Sequence, residues 1–541
     1  MKKLNVLFIV PPLISIEQLT SDNPRDRCAT NSSVPIGILS IAAYAGQHAD
    51  VNFSVLDLNI ELSDYIESGK KIDWNSWLVS CLQNAGRDIK FDLVGISAIF
   101  NSNAAYLSSI AKSAKDLWPE VLVVTGGGVP TNIGSYVFDI APSIDAIAVG
   151  EGEIPFLHLI QATDKLTYLE QAPGWTTRKR LQAGGIPVMK LIENLDDIPF
   201  LRYDLIDFGR YQKSNRYHGE KKNDEVTASI MTSRGCPYRC NFCSSHTVHG
   251  RRVRYHSPSR ILEDIRSLKE TYGVGIILIE DDLFLSRKQN ALEILDGLAR
   301  EGLVIEFPNG LTIKHLSDEM IEAMKNAGLK MATLAVESGS ERVLKEIIHK
   351  PYRNLSMVED VVARLRRKDM YIRAFFIIGF PGESKDEIFE SVRFMKKAGF
   401  NWAAIMIATP IAGSELFKKC QEDNLLLSDK MEDFHYGKCT IKLSHSSPEE
   451  IEELRYLINL EVNFVENYDL KNGRADLALI GFEDVIKRVS DHAFAHYFSS
   501  MCYGKLKDLD REKNSLNRYF EIVKDSPYWT GYARHFGLPL S

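Results

Sequence analysis

The chain has 541 residues, 45% hydrophobic, 25% charged and 10% aromatic, the make-up of a globular protein of about three or four domains. Its 65 Lys and Arg against 72 Asp and Glu leave a net charge of −7 with no long single-sign run, so no nucleic-acid partner is expected. Eight cysteines are too few for a disulfide framework, and without a run of 18 apolar residues no membrane span is expected.

The amino terminus places two lysines before an apolar run. It lacks a small-residue cleavage site, and Pro11-Pro12 closes the run as a strand is closed, which predicts a cytoplasmic chain. Apolar, β-branched runs at 5–10, 51–57, 93–98, 121–125 and 146–149 alternate with helical periods such as 37–47 and 104–117. That alternation predicts an α/β domain, a doubly wound parallel sheet over 1–165, with ligands at the carboxyl ends of the strands. The loops there hold Pro11-Pro12, Ser97 to Asn103, Gly126-Gly127-Gly128 and Gly150-Glu151-Gly152-Glu153. Neither a dinucleotide GxGxxG nor a Walker loop occurs.

Residues 166–220, rich in Pro, Gly, Tyr and Asp, read as a linker. A second alternation fills 221–430, with strands at 226–233, 276–279, 304–307, 331–336, 372–378 and 403–408, and helices at 258–272, 288–301, 318–326, 340–348, 357–367 and 385–398. Six tandem β/α units predict a partial barrel whose chemistry gathers at the strands' carboxyl ends. From 431 to 541 the strand signal ceases. Ser447-Pro448-Glu449-Glu450 is a capping box that opens a small α-helical domain, with further helices at 491–503 and 511–524.

Cys28, Cys81, Cys420, Cys439 and Cys502 are scattered, whereas Cys236, Cys240 and Cys243 stand together directly after the first strand of the second unit. This spacing lets a loop turn three thiolates toward one point. Three thiolates are one short of a closed zinc site and suit a four-iron cluster with one iron left open. Zinc with His246 as a fourth ligand and unrelated buried thiols are the alternatives.

With Phe242 ahead of the last cysteine, this motif after the first barrel strand resembles the radical S-adenosylmethionine superfamily. Further similar segments follow in order: 279–284 after the second strand, Val336-Glu337-Ser338-Gly339 ending the fourth, 377–382 ending the fifth, and Thr409-Pro410 with Gly413-Ser414 after the sixth. The resemblance implies a 4Fe-4S cluster on the three cysteines. It also implies S-adenosylmethionine held by Glu280 or Asp281 at its amino end, by Glu337 and Ser338 at the ribose, and by Gly379 and Pro381 beside the adenine.

The doubly wound domain resembles the cobalamin-binding domain of one large subgroup, through Pro35 to Leu39, Asp92 to Ser97, Gly126-Gly127-Gly128 and Gly150-Glu151-Gly152-Glu153. Ser97 and Thr125 are then candidates to bond the corrin amides or tail, and the glycines Gly126, Gly127, Gly128, Gly150 and Gly152, with Glu151, to lie against the ring. There is no Asp-x-His-x-x-Gly, which implies cobalt without a histidine from below.

Together these resemblances imply a cobalamin-dependent radical S-adenosylmethionine methyltransferase. It would methylate an unactivated carbon of a small molecule or peptide, in antibiotic or other natural-product biosynthesis, with an external electron donor of flavodoxin or ferredoxin type. The alternatives are a radical rearrangement, oxidation or cyclisation without methyl transfer, and a cobalamin-binding sensor. Tyr203, Tyr211, Asn309 and Trp402 are substrate-orienting candidates by position only. Tyr528, Trp529, Tyr532 and His535 read first as terminal-helix core, and second as a pocket wall.

Overall fold

In the computed structural model, which describes residues 3–19, 33–67, 72–212, 225–352 and 354–541, the first apolar runs form parallel strands. These are β1 (Leu4–Val10), β2 (Val51–Asp57), β3 (Leu93–Ser97), β4 (Leu122–Gly126) and β5 (Ala146–Ala148), in the order β2-β1-β3-β4-β5. Cys28 lies outside the described residues. Val6 and Phe8 pack with the helices Ile36–His48 and Glu153–Gln161, while Leu7 and Ile9 pack with Ala104–Leu117 on the other face. Burial on both faces is why these strands read as unbroken apolar runs. The strand order reverses around β1, so a crevice opens between the loops after β1 and β3.

A two-residue strand, β6 (Trp175–Thr176), adds antiparallel to β5 from within the segment read as linker. Two residues leave no periodic trace.

The second unit contains β7 (Val226–Ile230), the short pair β8 (Ser233–Arg234) and β9 (Arg254–Tyr255), then β10 (Val274–Ile279), β11 (Val304–Glu306), β12 (Met331–Glu337), β13 (Tyr371–Ile378) and β14 (Trp402–Ile407). Two parallel sheets, β7-β10-β11 and β12-β13-β14, meet through one bridge from Leu311 to Leu334. The six strands curve as an incomplete barrel. Alternation puts Ala228, Ile277, Ile305, Leu334 and Phe376 outward into the main core, and Ser229, Leu278, Glu306, Thr333 and Arg373 toward the lumen.

Two local differences from the sequence reading bear on the site. The run at 226–233 breaks into β7 and β8, because Asp281 takes the Thr232 amide out of the ladder. The helical period at 340–348 becomes a π-helical segment, Val343–Ile348, a form frequent at functional sites.

The carboxyl-terminal helices include Pro448–Leu460, Ala475–Arg488, Ala493–Lys505, Leu509–Asp525 and Pro527–His535. Ser447 and Glu450 form the capping box. Phe464, Phe482, Phe494 and Trp529 centre an aromatic core, Tyr532 bonds Glu453, and His535 is exposed. Tyr528, Trp529 and Tyr532 thus belong to the core, whereas His535 lies at the surface. This domain seals the open edge of β14: the Asn463 amide accepts from Ala403 N and donates to Ala403 O, each at 2.8 Å. Among the described residues no helix is long and apolar enough to cross a membrane.

Gly481 lets the Ala475–Arg488 helix meet the Trp402 ring: a Cβ there would lie 2.5 Å from Trp402 Cε3. Gly481→Ala is expected to lower stability by about 1–3 kcal/mol, seen as a lower urea midpoint. A Cβ added at Gly531 would have nothing within 4 Å, so Gly531→Ala should be neutral or stabilising by about 0.5–1 kcal/mol.

Candidate functional site

The cysteine loop leaves β8 through Gly235, whose φ of +100° and Cβ position 2.5 Å from Arg252 O admit no side chain. It is fastened on several sides. Cys236 N donates to Gly250 O, Asn241 N to Ile348 O at 3.0 Å, and Leu416 N to Asn241 O at 2.8 Å. Tyr238 bonds His315 at 2.7 Å, and Ser245 Oγ donates to Asp282 at 2.5 Å. The three cysteines are half-buried. Burial pushes the Cys236 thiol up to about 11 and the Cys243 thiol up to about 12, with Asp282 adding to both, so metal uptake must displace protons.

Among the described residues no three His, Cys, Asp or Glu side chains converge as the ligands of one metal ion do. A four-iron cluster takes each thiolate on a different iron and does not need three side chains to converge on one metal ion, as zinc with His246 would.

The strand ends divide the sequence candidates. Glu280, half-buried on the lumen side, accepts from Ser229 Oγ at 3.1 Å, and Asn309 donates to its carbonyl at 2.7 Å. Asp281 points the other way. It accepts from Thr232 N, Thr232 Oγ1 and Ser233 Oγ, each at 2.6 Å, and so holds the turn that feeds the cysteine loop. Burial raises its carboxyl to about 6.

Glu337 ends β12 with φ +74°, a strained value for a residue with a side chain. It pairs with buried Lys350 at 3.2 Å. Burial raises the Glu337 pKa against the pull of Lys350; burial opposes the charge on Lys350, but Glu337 and Cys240 lift its pKa above the ordinary lysine value. Ser338 faces away from the lumen, with its hydroxyl 3.3 Å from that of Ser391 and accepting from Ser340 N. A ribose contact from that side chain does not fit this orientation.

At the end of β13, Gly379 N and Phe380 N donate to Glu383 Oε2 at 2.7 and 3.1 Å, beside half-exposed Pro381. Burial pushes Glu383 up to about 8. The Phe380 ring lies 6.4 Å from that of Phe242 in the cysteine loop. Lys350 and Glu383 were not singled out from sequence, and Asp282 stands inside the 279–284 segment without having been assigned a role.

In the first domain the crevice is built from asparagines. Asn103 Oδ1 accepts from Ile99 N and Phe100 N, and its Nδ2 donates to Pro12 O at 2.9 Å; Asn59 Nδ2 donates to Pro11 O at 3.0 Å. Ile99 and Phe100 are thereby presented outward, 55% and 46% exposed. A Cβ on Gly127, φ +109°, would lie 2.6 Å from Ala98 O, so the glycine loop packs directly on this platform. A rigid, exposed apolar pair at a switch point fits a broad, largely apolar macrocycle, and the buried Asn101 Oδ1 beside it has no partner among the described residues. Two large apolar residues in a loop just past a strand were the available sequence signal.

Other first-domain candidates face inward. Thr125 Oγ1 donates to Ile96 O. A Cβ at Gly126 would touch Ala148, at Gly128 Ile99 O, at Gly150 the Met189 side chain, and at Gly152 that of Ile41. Ser97 is half-exposed at the strand end. Of the position-only candidates, Asn309 alone reaches the lumen rim; Tyr203 donates to Ser229 O, Tyr211 to Asp57, and Trp402 packs on Phe464.

Glu151 has a different occupation from a cofactor contact. Arg254 Nη1 and Nη2 donate to its two oxygens at 2.9 and 2.6 Å, His249 Nδ1 lies at 2.9 Å, and Arg234 at 3.5 Å. Arg234 also meets Glu153 at 2.8 Å and Ser40 at 3.0 Å. All of these except His249 are buried. The network clamps the loop after β5 to the β8–β9 pair that carries the cysteine loop. Beside it, Asn132, four residues past Gly128, donates to Thr247, four past Cys243, at 2.8 Å. Burial alone would raise the Glu151 pKa; the bonds from Arg254 and His249 and the charge of Arg234 outweigh it and hold the carboxyl at about 2.

Residues 230–395 match the radical SAM superfamily and residues 26–160 the B12 binding domain. An uncharacterized methyltransferase of Pyrococcus horikoshii is 30% identical over 456 residues, spanning 84% of this chain and 91% of that protein. Cytidylyl-2-hydroxyethylphosphonate methyltransferase of Streptomyces wedmorensis is 29% identical over 356 residues, 61% of this chain and 66% of that one. The fold is shared with the radical S-adenosylmethionine methyltransferase TsrM from Kitasatospora setae, solved with cobalamin and a [4Fe-4S] cluster bound. That likeness has a TM-score of 0.60 at 15% identity and covers 97% of this chain and 100% of that one.

Arg254→Met leaves Glu151 buried without its main partner and is expected to cost about 3–5 kcal/mol, read from urea unfolding at pH 7. Because the Glu151 pKa is depressed from 4.5 to about 2 on folding, its charged form contributes stability above pH 4.5 that is lost as pH falls toward 2. The stability difference between wild type and Glu151→Gln should therefore shrink between pH 5.5 and 3.5; an unchanged difference would exclude this role.

Proposed function

Because the chain belongs to the cobalamin-dependent radical S-adenosylmethionine methyltransferase family, we propose that it methylates an unactivated carbon of a small biosynthetic intermediate at the mouth of the barrel. When bound, the cluster with S-adenosylmethionine supplies a 5′-deoxyadenosyl radical and cobalamin supplies the methyl group. Cys236, Cys240 and Cys243 would hold the cluster, which would offer the S-adenosylmethionine amine and carboxylate a place to bind. Glu280, on the lumen side, steadies the amine, while Asp281 acts from behind by fixing the loop. The Glu337–Lys350 pair lies beside the cluster, and the Gly379–Pro381 turn, held by Glu383, borders the nucleoside. The Ile99–Phe100 platform, with the Gly126-Gly127-Gly128 loop packed against it, receives the corrin.

One observation carries this reading: the bond from Asn132 to Thr247, with the Glu151 clamp beside it, sets the loop after the glycines against the loop after the cysteines. Two cradles fixed edge to edge over one barrel mouth let hydrogen abstraction and methyl delivery reach one carbon, without a domain movement between them. The two named relatives support methyl transfer as the reaction class. The phosphonate in the name of one belongs to that protein, and an antibiotic or other natural-product intermediate here is part of the proposal. So is a low-potential electron donor of flavodoxin or ferredoxin type.

The test is anaerobic reconstitution with iron, sulfide and hydroxocobalamin, then reductant and methyl-labelled S-adenosylmethionine without substrate. Label on the bound cobalamin together with S-adenosylhomocysteine is expected. Unlabelled cobalamin while 5′-deoxyadenosine accumulates would replace methyl transfer by a radical rearrangement or oxidation. Glu280→Gln should weaken S-adenosylmethionine binding about tenfold, or about 1.4 kcal/mol, with iron content unchanged. Asp281→Asn should instead lower the iron content, and the pair is read by equilibrium dialysis and iron analysis.

A further inference from the structure

The lumen of the barrel holds a cation that the cofactors do not use. Arg373 stands on β13 five residues before Ile378, in register with Thr333 on β12 and Trp402 on β14. Residues in register across a parallel sheet project to the same face, so the Thr333 hydroxyl and the Arg373 guanidinium are lumen neighbours. Each has a polar atom sealed from solvent and, among the described residues, without a hydrogen-bond partner: Nε of Arg373 and Oγ1 of Thr333. A buried donor or acceptor without a partner is destabilising.

The surrounding charges do not complete the pair. Glu306 of β11 attracts Arg373 through space, and Arg373 Nε is still left without an acceptor. Asp484 and Arg488, on the Ala475–Arg488 helix that covers this side, pair with each other at 3.3 Å. Burial, then Arg488, depress the Arg373 pKa against the pull of Glu306 and Asp484.

Ala335 and Ala404 flank Phe375 in register, and Gly310 lies against its ring. The Phe375 ring, 5.8 Å from Arg373 Cζ, supports the guanidinium on the side toward the mouth. From Arg373 to the strand end is five residues, about 16 Å at about 3.3 Å per residue.

We propose that Arg373 and Thr333 form a subsite for an oxyanion, a carboxylate or phosphoryl group, at the end of the substrate remote from the carbon that is methylated. This rests on the reading of the barrel mouth as the catalytic end. The guanidinium supplies two parallel N–H donors and the charge, Thr333 a third donor, and Phe375 with the two alanines a slot for the chain between. The subsite selects elongated anionic substrates over neutral ones of the same length.

The experiment titrates the reconstituted full-length protein with methylphosphonate, followed by 31P line width, and separately with propionate, followed by 1H line width. Saturable broadening by wild type is expected, weakened at least tenfold in Arg373→Gln, partly retained in Arg373→Lys, and weakened about threefold in Thr333→Val. Methylphosphonate alone binding would assign a phosphoryl group, propionate alone a carboxylate. Absence of broadening by wild type, or the same titration for Arg373→Gln, overturns the subsite. If Arg373→Gln does not fold by circular dichroism, Arg373→Lys and Thr333→Val decide, and wild-type titrations for both overturn it. Labelling of cobalamin needs no substrate, so its failure beside intact Arg373-dependent binding would overturn the methyl-transfer reading and leave the subsite standing.

Discussion

Glu151 is 3% exposed and 2.6 Å from a guanidinium that begins a hundred residues later in the chain, and the geometry of the whole barrel mouth depends on that contact. Two carboxylates from the first domain, Glu151 and Glu153, meet two guanidiniums, Arg234 and Arg254, from the short strands that launch and receive the cysteine loop. An apolar patch of the same area would hold the domains as firmly, since buried ion pairs contribute little net stability over well-packed hydrocarbon. It would not fix their angle. A guanidinium has a planar fork, and its bonds to a carboxylate fail within a few tenths of an ångström and a few tens of degrees. Arg234 is two residues from Cys236, so the orientation is passed on to the cysteine loop almost without slack.

The same division of labour recurs at the strand ends. Carboxylates there fall into those that face the lumen and those that hold backbone for them. Asp281 restrains Thr232 and Ser233, Glu383 restrains Gly379 and Phe380, and Glu280 is left on the lumen side. Glu337 instead pairs with a lysine, on a left-handed backbone. The π-helical segment Val343–Ile348 and the left-handed His349 that follows then bring Lys350 inward to meet it. Strain of this kind persists only where the surroundings over-determine it, and here Tyr352 bonds the carbonyls of Ala335 and Val336 just before the strained residue.

The carboxyl-terminal helices explain how an incomplete barrel keeps a defined lumen. Asn463 fills the ladder positions of β14 at Ala403, and Gly481 lets a helix reach the Trp402 ring. With that edge closed, the first domain, held by the Asn132–Thr247 bond and the Glu151 clamp, faces the cysteine loop at the strand ends.

Much of this was legible in the linear sequence. Cys236, Cys240 and Cys243 are spaced by the covalent chain itself, and doubly buried strands alternating with helices leave a signal in every window of about ten residues. Those features identify two α/β units, a capping box and a cluster loop without reference to anything remote. Direction was not legible. Glu280 and Asp281 are adjacent and chemically alike, and only Ser229 and Thr232, about fifty residues earlier, decide which one faces the lumen. Ser338 turned to Ser391, Glu151 turned to Arg254, and Ile99 and Phe100 turned outward, through partners that are close in space and mostly distant in the chain. Which chemistry the chain carries could thus be read from its order of residues, because short-range spacing and periodicity are properties of the covalent chain. Where each of those groups points was left to the folded state, because a side chain's direction is set by whichever distant donor or acceptor folding brings within about 3 Å of it.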